Sequence, residues 1–191
     1  GFVGAAAGAA HMGMRPVVEM QFIDFISCAY DMLTNYVANA RYRAFLPCPM
    51  VVRGPSGGYV RGGPFHSQNP EAAFLHTPGL KIVVPSTPED ARGLMASAVA
   101  DPDPVLYYEH IALYRDPRIK QALPKDPPSP CPIGKAALRR AGADLAMISY
   151  GAYVHHCLRV AAQLSAEGIE ASVLDLRSLA PLDREAILAV T

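Results

Sequence analysis

The sequence predicts an α/β fold in which a parallel sheet carries helices on both faces, followed by a second, truncated α/β unit. Short apolar runs alternate with helical patterns up to residue 114. A proline-rich segment then interrupts the pattern at residues 115–132, and the alternation resumes from residue 133. Strand–helix–strand alternation of this kind is typical of parallel sheets that are covered by helices.

The first unit is predicted over residues 1–114. Residues 1–13 are rich in Gly and Ala, which predicts a closely packed helix, and the run at 17–22 predicts a short strand. Asp24 is placed to cap a following helix. The predicted buried face of that helix consists of apolar residues at helical spacing, namely Phe25, Ala29, Met32, Leu33, Tyr36 and Ala40.

Three further strands are predicted in the first unit, at residues 50–52, 80–84 and 104–108. Between the last two, Pro88 opens a helix that runs to about Ala100. Thr87 or Ser86 is placed to cap this helix, because either hydroxyl can accept a hydrogen bond from a free backbone N–H of the first turn.

The second unit begins after a linker. Residues 115–132 contain six prolines among charged residues, a composition typical of an extended connection. Over residues 133–191 the pattern predicts a strand at 144–149, a helix at 154–166, a strand at 169–174 and a last helix capped by Asp183. A sheet of two strands leaves its edges open, so we expect this second domain to be truncated.

Composition excludes several classes of protein. The 191 residues carry no net charge and no basic patch, which argues against a nucleic-acid-binding protein. Charges, Gly or Pro interrupt every apolar stretch before about 18 residues, so no membrane-spanning segment is predicted. The N-terminus lacks a basic leader and does not predict a signal peptide.

The cysteines predict a reducing compartment. They lie far apart, form no Cys-x-x-Cys pair and show no zinc-ligand spacing with the histidines; they are Cys28, Cys48, Cys131 and Cys157. We expect reduced, mostly buried thiols. This indicates the bacterial cytoplasm, or the mitochondrial matrix if the source is eukaryotic.

The segment 53–71 carries the clearest chemical signal. Five of the ten residues from Gly54 to Gly63 are glycines, and His66 follows directly before Ser67-Gln68-Asn69. Glycine at this density predicts a loop that passes close to a ligand, and a histidine at its end can exchange a proton near neutral pH. The alternative is a flexible surface loop with an incidental histidine.

Several ordered segments resemble one family. The runs are Gln-Phe-x-Asp-Phe at 21–25, Arg-Tyr-Arg at 41–43 and the Arg-Gly-Gly…His-Ser-Gln-x-Pro-Glu-Ala run at 61–72, with further similarity over 76–109. They resemble the beta subunits of the decarboxylating component of 2-oxo acid dehydrogenase complexes, closest to the branched-chain 2-oxoisovalerate and bacterial pyruvate types. The resemblance implies a transketolase-like pyrimidine-binding domain followed by the start of a transketolase C-terminal domain.

The resemblance also implies a cofactor and residue roles. The cofactor is thiamine diphosphate, whose pyrimidine half lies in the beta subunit, while the alpha subunit holds the diphosphate and magnesium. Phe25, often tyrosine in the family, would pack on the pyrimidine, although a core phenylalanine at the start of a helix is the alternative. Gln21 would lie beside the cofactor, on the same face as Ile23 and Phe25 if this segment is extended. His66 would perform acid/base work and stabilise charge.

The remaining histidines and loop residues receive structural roles. Gln68 and Glu71 would hold the loop that carries His66, and His76 would pack near Pro78. The other histidines have no site-like setting in the sequence and are interpreted as ordinary surface or helix residues; they are His11, His110, His155 and His156.

A potassium ion is also implied, with mostly backbone carbonyl ligands. The matching positions are Cys48, Met50, Val51, Ala98, Asp101 and Asp103. Asp103 replaces the usual asparagine, and the alternative for residues 100–104 is a turn with a capping aspartate. The glutamate that activates thiamine in the family lies before the segment matched by Gly1-Phe2. We therefore expect these 191 residues alone to be inactive.

The implied partners are an alpha subunit, in an alpha2beta2 tetramer, and the lipoyl acyltransferase core of the complex. The implied reaction decarboxylates a 2-oxo acid and transfers the acyl group to lipoyl-lysine. Small residues of the first helix would allow close packing at a subunit interface, or equally within the monomer. The alternatives are another transketolase-like enzyme, such as acetoin dehydrogenase, deoxyxylulose-phosphate synthase or transketolase itself, and a non-catalytic beta-like scaffold.

Overall fold

The computed structural model describes residues 1–191 and contains eight strands and six α-helices. The strands are β1 (Val17–Glu19), β2 (Val51–Ser56), β3 (Lys81–Val83), β4 (Val105–His110), β5 (Ala137–Arg140), β6 (Leu145–Ser149), β7 (Ala171–Asp175) and β8 (Ser178–Ala180). The helices are α1 (Phe2–His11), α2 (Ala40–Ala44), α3 (Ala72–Leu75), α4 (Pro88–Ala100), α5 (Ala152–Ala166) and α6 (Arg184–Val190).

The first sheet is parallel, as predicted, apart from one edge strand. Its order is β1-β2-β4-β3-β8, and β1 to β4 all run in the same direction. The register places Val51 between Val17 of β1 and Val105 of β4. Strands in the middle of such a sheet are buried on both faces, which is why β4 is apolar from Val105 to Tyr108 without alternation.

Helices cover both faces of this sheet, which confirms the predicted fold class. Successive side chains of a strand point to opposite faces, so Val105 and Tyr107 pack with Leu94 of α4. Leu106 and Tyr108 pack on the other face, with α1 and the segment that follows β1. Burying a side chain such as Leu106 contributes about 1.5–3 kcal/mol.

The start of α4 follows the sequence prediction. Thr87 Oγ1 accepts a hydrogen bond from the backbone N–H of Asp90 at 3.1 Å and donates one to the Asp90 carboxylate at 2.8 Å. Pro88 occupies the first turn. A cap of this type stabilises a helix by about 1 kcal/mol.

The segment after β1 differs from the predicted regular α-helix. It forms a 3-10 helix over Ile23–Ala29 and a π-helix over Met32–Val37. Their hydrogen bonds join residues three and five positions apart instead of four, so the buried positions are Ile23, Ile26, Leu33 and Val37. The predicted buried face is therefore wrong at Phe25 and Tyr36, which are 39% and 48% exposed.

A second, three-stranded sheet lies in the C-terminal part of the chain. Its order is β5-β7-β6, with β6 parallel and β5 antiparallel to β7. Helix α5 packs on it through Val154 and Ala161, which contact Val173 of β7. The sequence pattern did not predict β5, because its residues are only partly buried and lack a clear alternation.

The two parts of the chain share the first sheet. Strand β8 follows β7 in sequence but pairs antiparallel with β3. The backbone N–H of Val84 donates to the carbonyl of Arg177 at 2.8 Å and continues this pairing. An open edge of a sheet leaves backbone groups without partners, and β8 satisfies those of β3. Strand β8, which lies beyond the predicted linker at 115–132, thus completes the first sheet.

A buried ionic network also joins the two parts. Asp175, with no exposed surface, accepts hydrogen bonds from Ser86 and, at 2.8 Å, from Arg139. Arg139 also contacts Asp90 of α4, to which Arg177 donates at 3.1 Å. Burial raises the pKa of Asp175 above its ordinary value, against the opposing effect of Ser86 and Arg139. Two arginines and two carboxylates thus balance their charges at this junction.

The cysteines are free, and their burial varies. Cys48 is buried, Cys131 and Cys157 are partly buried, and Cys28 is exposed. Burial raises the pKa of the Cys48 and Cys131 thiols. The expectation of mostly buried thiols is therefore correct for Cys48 and wrong for Cys28.

None of the helices has the length and apolar character needed to cross a bilayer.

Candidate functional site

The glycine-rich segment forms the loop that the sequence predicts. It leaves the sheet after Ser56, at the carboxyl end of β2, and residues 57–70 have no regular secondary structure before α3 begins. We call residues 57–70 the His66 loop. Gly57 has φ +79°, and a Cβ there would lie 2.9 Å from Asn69 Oδ1. A side chain at this position would therefore strain the backbone and press on Asn69.

The ring of His66 has a defined tautomer. Its Nδ1 lies 3.0 Å from the carbonyl oxygen of Gly62. Because a carbonyl oxygen only accepts hydrogen bonds, Nδ1 carries the proton and donates it. In the neutral ring Nε2 then keeps a lone pair and can accept a proton, and in the protonated ring it can donate one. His66 is partly exposed.

Two phenylalanines lie edge-on to His66. The ring centroid of Phe22 lies 4.6 Å from that of His66, and that of Phe25 lies 5.6 Å away. Both aromatic residues come from the start of the 3-10 helix, where a spacing of three residues places them on one side. Phe25 is 39% exposed and presents an apolar surface beside the histidine. Sequence reasoning missed Phe22, because a regular α-helix starting after Asp24 excluded it.

Asp24 holds the backbone of the His66 loop. Its Oδ1 accepts hydrogen bonds from the backbone N–H of Ser67 at 3.0 Å and of Gln68 at 3.1 Å. The predicted helix cap is wrong, because Asp24 lies inside the 3-10 helix and is only 6% exposed. Gln68 supports the loop as expected, since its side-chain amide donates to the carbonyl of Pro64 at 2.8 Å.

Gln21 lies next to these aromatic residues but in a different setting from the one expected. Strand β1 ends at Glu19, and Gln21 lies in a bend with an exposed side chain. The extended arrangement that would place it on one face with Ile23 and Phe25 is wrong, since Ile23 is fully buried. Gln21 is therefore a surface side chain, and its place beside a cofactor stays a prediction.

A buried polar cluster lies where the His66 loop ends. Glu71 is 2% exposed, and its Oε1 lies 3.6 Å from His110 Nε2. Asn69 Nδ2 lies 3.5 Å from the same nitrogen. Burial and the Glu71 carboxylate raise the pKa of Tyr108, whose hydroxyl is also buried. Glu71 is thus buried beside β4 where the loop ends, but its Oε1 has no hydrogen-bond partner, so its role in holding the loop stays a prediction.

Two histidines occupy positions that the sequence did not indicate. His110 ends β4 and is 5% exposed, so its interpretation as an ordinary surface or helix residue is wrong. His76, expected to pack near Pro78, is exposed. The apolar run Val105 to Tyr108 before His110 was the available signal, because a buried strand can carry its last polar residue inside the protein.

The predicted potassium ligands lie around the starts of β2 and β4. Lys81 Nζ lies 2.7 Å from both carboxylate oxygens of Asp101, and Arg41 Nε contacts Asp103 at 2.5 Å. Both carboxylates are thus already neutralised by cationic side chains. Arg15 further donates to the carbonyl of Asp101 at 3.0 Å. The structure shows no group of three or more His, Cys, Asp or Glu side chains arranged for a metal ion.

In open parallel α/β sheets, ligands bind beyond the carboxyl ends of the strands, and the His66 loop lies at this edge of the first sheet. Residues 1–117 match the family described as transketolase, pyrimidine binding domain, and residues 134–191 match transketolase, C-terminal domain. The chain belongs to the transketolase pyrimidine-binding-domain family, which confirms the predicted family.

Several known proteins are similar to this one over nearly the whole chain. A 2-oxoisovalerate dehydrogenase subunit beta of Bacillus subtilis is 50% identical over 97% of the chain, and 56% of that relative is covered. An acetoin:2,6-dichlorophenolindophenol oxidoreductase subunit beta of Cupriavidus necator is 42% identical over 98% of this chain and 55% of that relative. A pyruvate dehydrogenase subunit beta of Bacillus subtilis is 41% identical over 99% of this chain and 58% of that relative.

These relatives confirm the predicted resemblance to 2-oxo acid dehydrogenase beta subunits, and the chain spans somewhat more than half of their length. A solved structure described as a split gene transketolase, inactive beta4 tetramer, superposes with a TM-score of 0.77 at 23% identity. It covers 98% of this chain, which corresponds to 57% of that structure. At this identity the likeness shows the fold alone.

Proposed function

We propose that this chain is the pyrimidine-binding part, with the start of the C-terminal domain, of the beta subunit of a thiamine-dependent 2-oxo acid dehydrogenase. The proposed pyrimidine-binding domain comprises residues 1–114, the linker residues 115–132, and the start of the C-terminal domain residues 133–191. The observation that carries the proposal is His66, whose Nδ1 is bonded to Gly62 and whose ring is flanked by the exposed Phe25. The 50% identity to a 2-oxoisovalerate dehydrogenase beta subunit supports the same reaction class.

The residues present fit one half of a thiamine diphosphate site. The exposed apolar ring of Phe25 suits an aminopyrimidine, and Gln21, four residues earlier, has an exposed amide that can hydrogen-bond a ligand. Thiamine diphosphate, when bound, supplies the carbon nucleophile and the electron sink for decarboxylation. We assign its diphosphate and magnesium to the alpha subunit, as the resemblance to 2-oxo acid dehydrogenase beta subunits implies.

His66 is the proposed catalytic residue. With Nδ1 held by Gly62, Nε2 is the atom that can accept a proton from, or donate one to, the reacting substrate. A protonated ring would also stabilise negative charge on a substrate oxygen. Phe22 and Phe25 pack against the imidazole with their rings nearly perpendicular to it and restrict its rotation. The chain thereby supplies a proton-transfer group at a fixed place next to an apolar surface.

The proposed partners are an alpha subunit, in an alpha2beta2 tetramer, and the lipoyl acyltransferase core that receives the acyl group. The proposed compartment is the bacterial cytoplasm or the mitochondrial matrix.

We propose a potassium ion bound only by the backbone carbonyls of Cys48, Met50, Val51 and Ala98. The carboxylates of Asp101 and Asp103 are left out of this site, since Lys81 and Arg41 neutralise them. A higher melting temperature in KCl than in NaCl at equal ionic strength tests this site, and equal values would contradict it.

The function is tested with the full-length parent chain co-expressed with its alpha subunit. Turnover of pyruvate, 2-oxoisovalerate and acetoin is measured for the wild type, His66→Ala and the control His76→Ala, whose ring is exposed at the end of α3. We expect 2-oxo acid turnover that His66→Ala lowers by about 10²- to 10⁴-fold, while His76→Ala retains it. Full activity of His66→Ala would contradict the assigned role.

Two outcomes favour other functions. Turnover of acetoin alone would support the activity named for the Cupriavidus necator relative, to which the chain is 42% identical. Failure of the wild-type complex to bind thiamine diphosphate, measured by calorimetry, would instead support a non-catalytic scaffold. Turnover by the beta chain without any alpha subunit would point to a single-chain transketolase-like enzyme.

A further inference from the structure

We propose that Asp24 is the positioning residue for His66, fixing the His66 loop so that the imidazole meets the substrate in one place. This inference rests on the proposed function for its catalytic meaning, whereas the anchoring itself is a property of the fold. The carboxylate is 6% exposed and lies under the loop, so it does not itself touch a ligand on the outer surface.

The contacts converge on one atom. Asp24 Oδ1 accepts the backbone N–H groups of Ser67 and Gln68, the two residues directly after His66, at 3.0 and 3.1 Å. On the other side of His66, Gly63 accepts the backbone N–H of His66 at 3.1 Å. The backbone at His66 is thus held from both directions.

One turn of helix determines both the backbone and the ring of His66. Asp24 binds the loop backbone, and its neighbours Phe22 and Phe25 contact the imidazole edges. The turn itself is fixed in the core by Ile23 and Ile26, which are 0% and 1% exposed. Movement of His66 relative to Phe25 therefore requires loss of the Asp24 contacts.

The second carboxylate oxygen of Asp24 makes it possible to test the hydrogen-bond acceptor and the negative charge separately. Asp24 Oδ2 is buried and has no hydrogen-bond partner in the chain. Asparagine keeps one carbonyl oxygen, which can accept both amides, and places its NH2 where Oδ2 lies. Asp24→Asn is therefore expected to preserve the anchor, whereas Asp24→Ala and the near-isosteric Asp24→Leu remove it.

The experiment uses the full-length chain in complex with its alpha subunit. The variants are Asp24→Ala, Asp24→Leu and Asp24→Asn, with Asp31→Ala as control, since Asp31 is an exposed acid of the same segment that bonds only Asn35 within its helix. Hydrogen exchange of a peptide containing Ser67 and Gln68 reports the anchor without any substrate. Turnover reports its catalytic consequence.

In whichever of Asp24→Ala and Asp24→Leu folds, we expect faster hydrogen exchange at residues 67–68. We also expect kcat to fall by about 100-fold with KM nearly unchanged, because a small misplacement of a catalytic group costs this much. Asp24→Asn should retain wild-type exchange and most of kcat. Unchanged exchange in both acceptor-free variants, or an Asp24→Asn as impaired as they are, would overturn the proposal. A wild type without turnover would overturn the proposed function, while the exchange result would still decide the anchor.

Discussion

The Nδ1 atom of His110 accepts a hydrogen bond from the backbone N–H of Ala152 at 2.8 Å. His110 ends β4 in the first sheet, and Ala152 begins α5 over the second sheet. A Cβ on Gly151 would lie 2.4 Å from His110 Nδ1, so the helix can approach this closely only because residue 151 is glycine. Since Nδ1 accepts, Nε2 carries the proton in the neutral ring and points towards Glu71.

This contact predicts a stability effect. His110→Ala leaves the N–H of Ala152 without its acceptor and removes the imidazole that lies 3.6 Å from the buried carboxylate of Glu71. We expect the free energy of unfolding to fall by about 1–3 kcal/mol, the cost of an unpaired buried polar group. Urea denaturation measures it, with the exposed His156→Ala on α5 as control. Equal losses in both variants would contradict the role of His110.

The ionic network at the junction predicts a larger effect. Arg139→Ala leaves the carboxylates of Asp90 and Asp175 buried with reduced compensation. Removing one partner of a buried ion pair costs about 3–5 kcal/mol, and the partial exposure of Arg139 places the expected loss near the lower value. The matched control is Arg118→Ala, because Arg118 is 67% exposed in its pair with Asp116 and exposed ion pairs add little to stability. Chemical denaturation compares the two, and a loss below 1 kcal/mol for Arg139→Ala would refute the importance of this network.

Asp183 predicts a dependence of stability on pH. Its carboxylate accepts the backbone N–H groups of Ala136 and Ala186, and these bonds lower its pKa. The folded state therefore favours the ionised form, so the contribution is complete above the unfolded pKa of about 3.9 and is lost as the pH falls through the lower folded pKa. Asp183→Asn should flatten the fall of the melting temperature in this acidic window. The exposed Asp126→Asn serves as control, and an unchanged slope in Asp183→Asn would contradict the assignment.

The space around Gly62 predicts a catalytic effect that is not a stability effect. A Cβ on residue 62 would lie 2.7 Å from His66 Cβ, so Gly62→Ala must displace the histidine. On the proposed function we expect kcat to fall by about 10- to 100-fold, since catalysis depends on accurate placement of the reacting groups. Gly58→Ala is the control in the same loop, because a Cβ there meets nothing within 4 Å. Steady-state kinetics of the full-length complex tests it, and similar kcat values for both variants would count against the prediction.

Strong local signals in the sequence correspond to correct structural predictions. The Thr87 cap and Pro88 start of α4 were predictable because both act within four residues of chain. The last helix likewise begins at the predicted cap, where Asp183 accepts the N–H of Ala186 at 3.2 Å. The loop around His66 follows from glycine density, which excludes regular structure whatever the surroundings.

Predictions failed where a distant segment determines the outcome. The helix after β1 was expected to be regular, but burial of Ile23 and Ile26 in the core accompanies 3-10 geometry. Asp24 was assigned to capping because its partners, Ser67 and Gln68, lie more than forty residues away. No local pattern reveals such a partner, since a cap and a loop anchor use the same side chain.

By itself the sequence determined the alternation of strands and helices, the family, and the histidine loop, because periodicity, turn residues and ordered motifs are local properties. Tertiary structure alone decided that β8 completes the first sheet and that His110 is buried against α5. It also decided that one helical turn brings Phe22 and Phe25 against His66 and Asp24 against the backbone that follows it. These contacts join residues far apart in the chain, and their formation depends on the packing of the whole core around them.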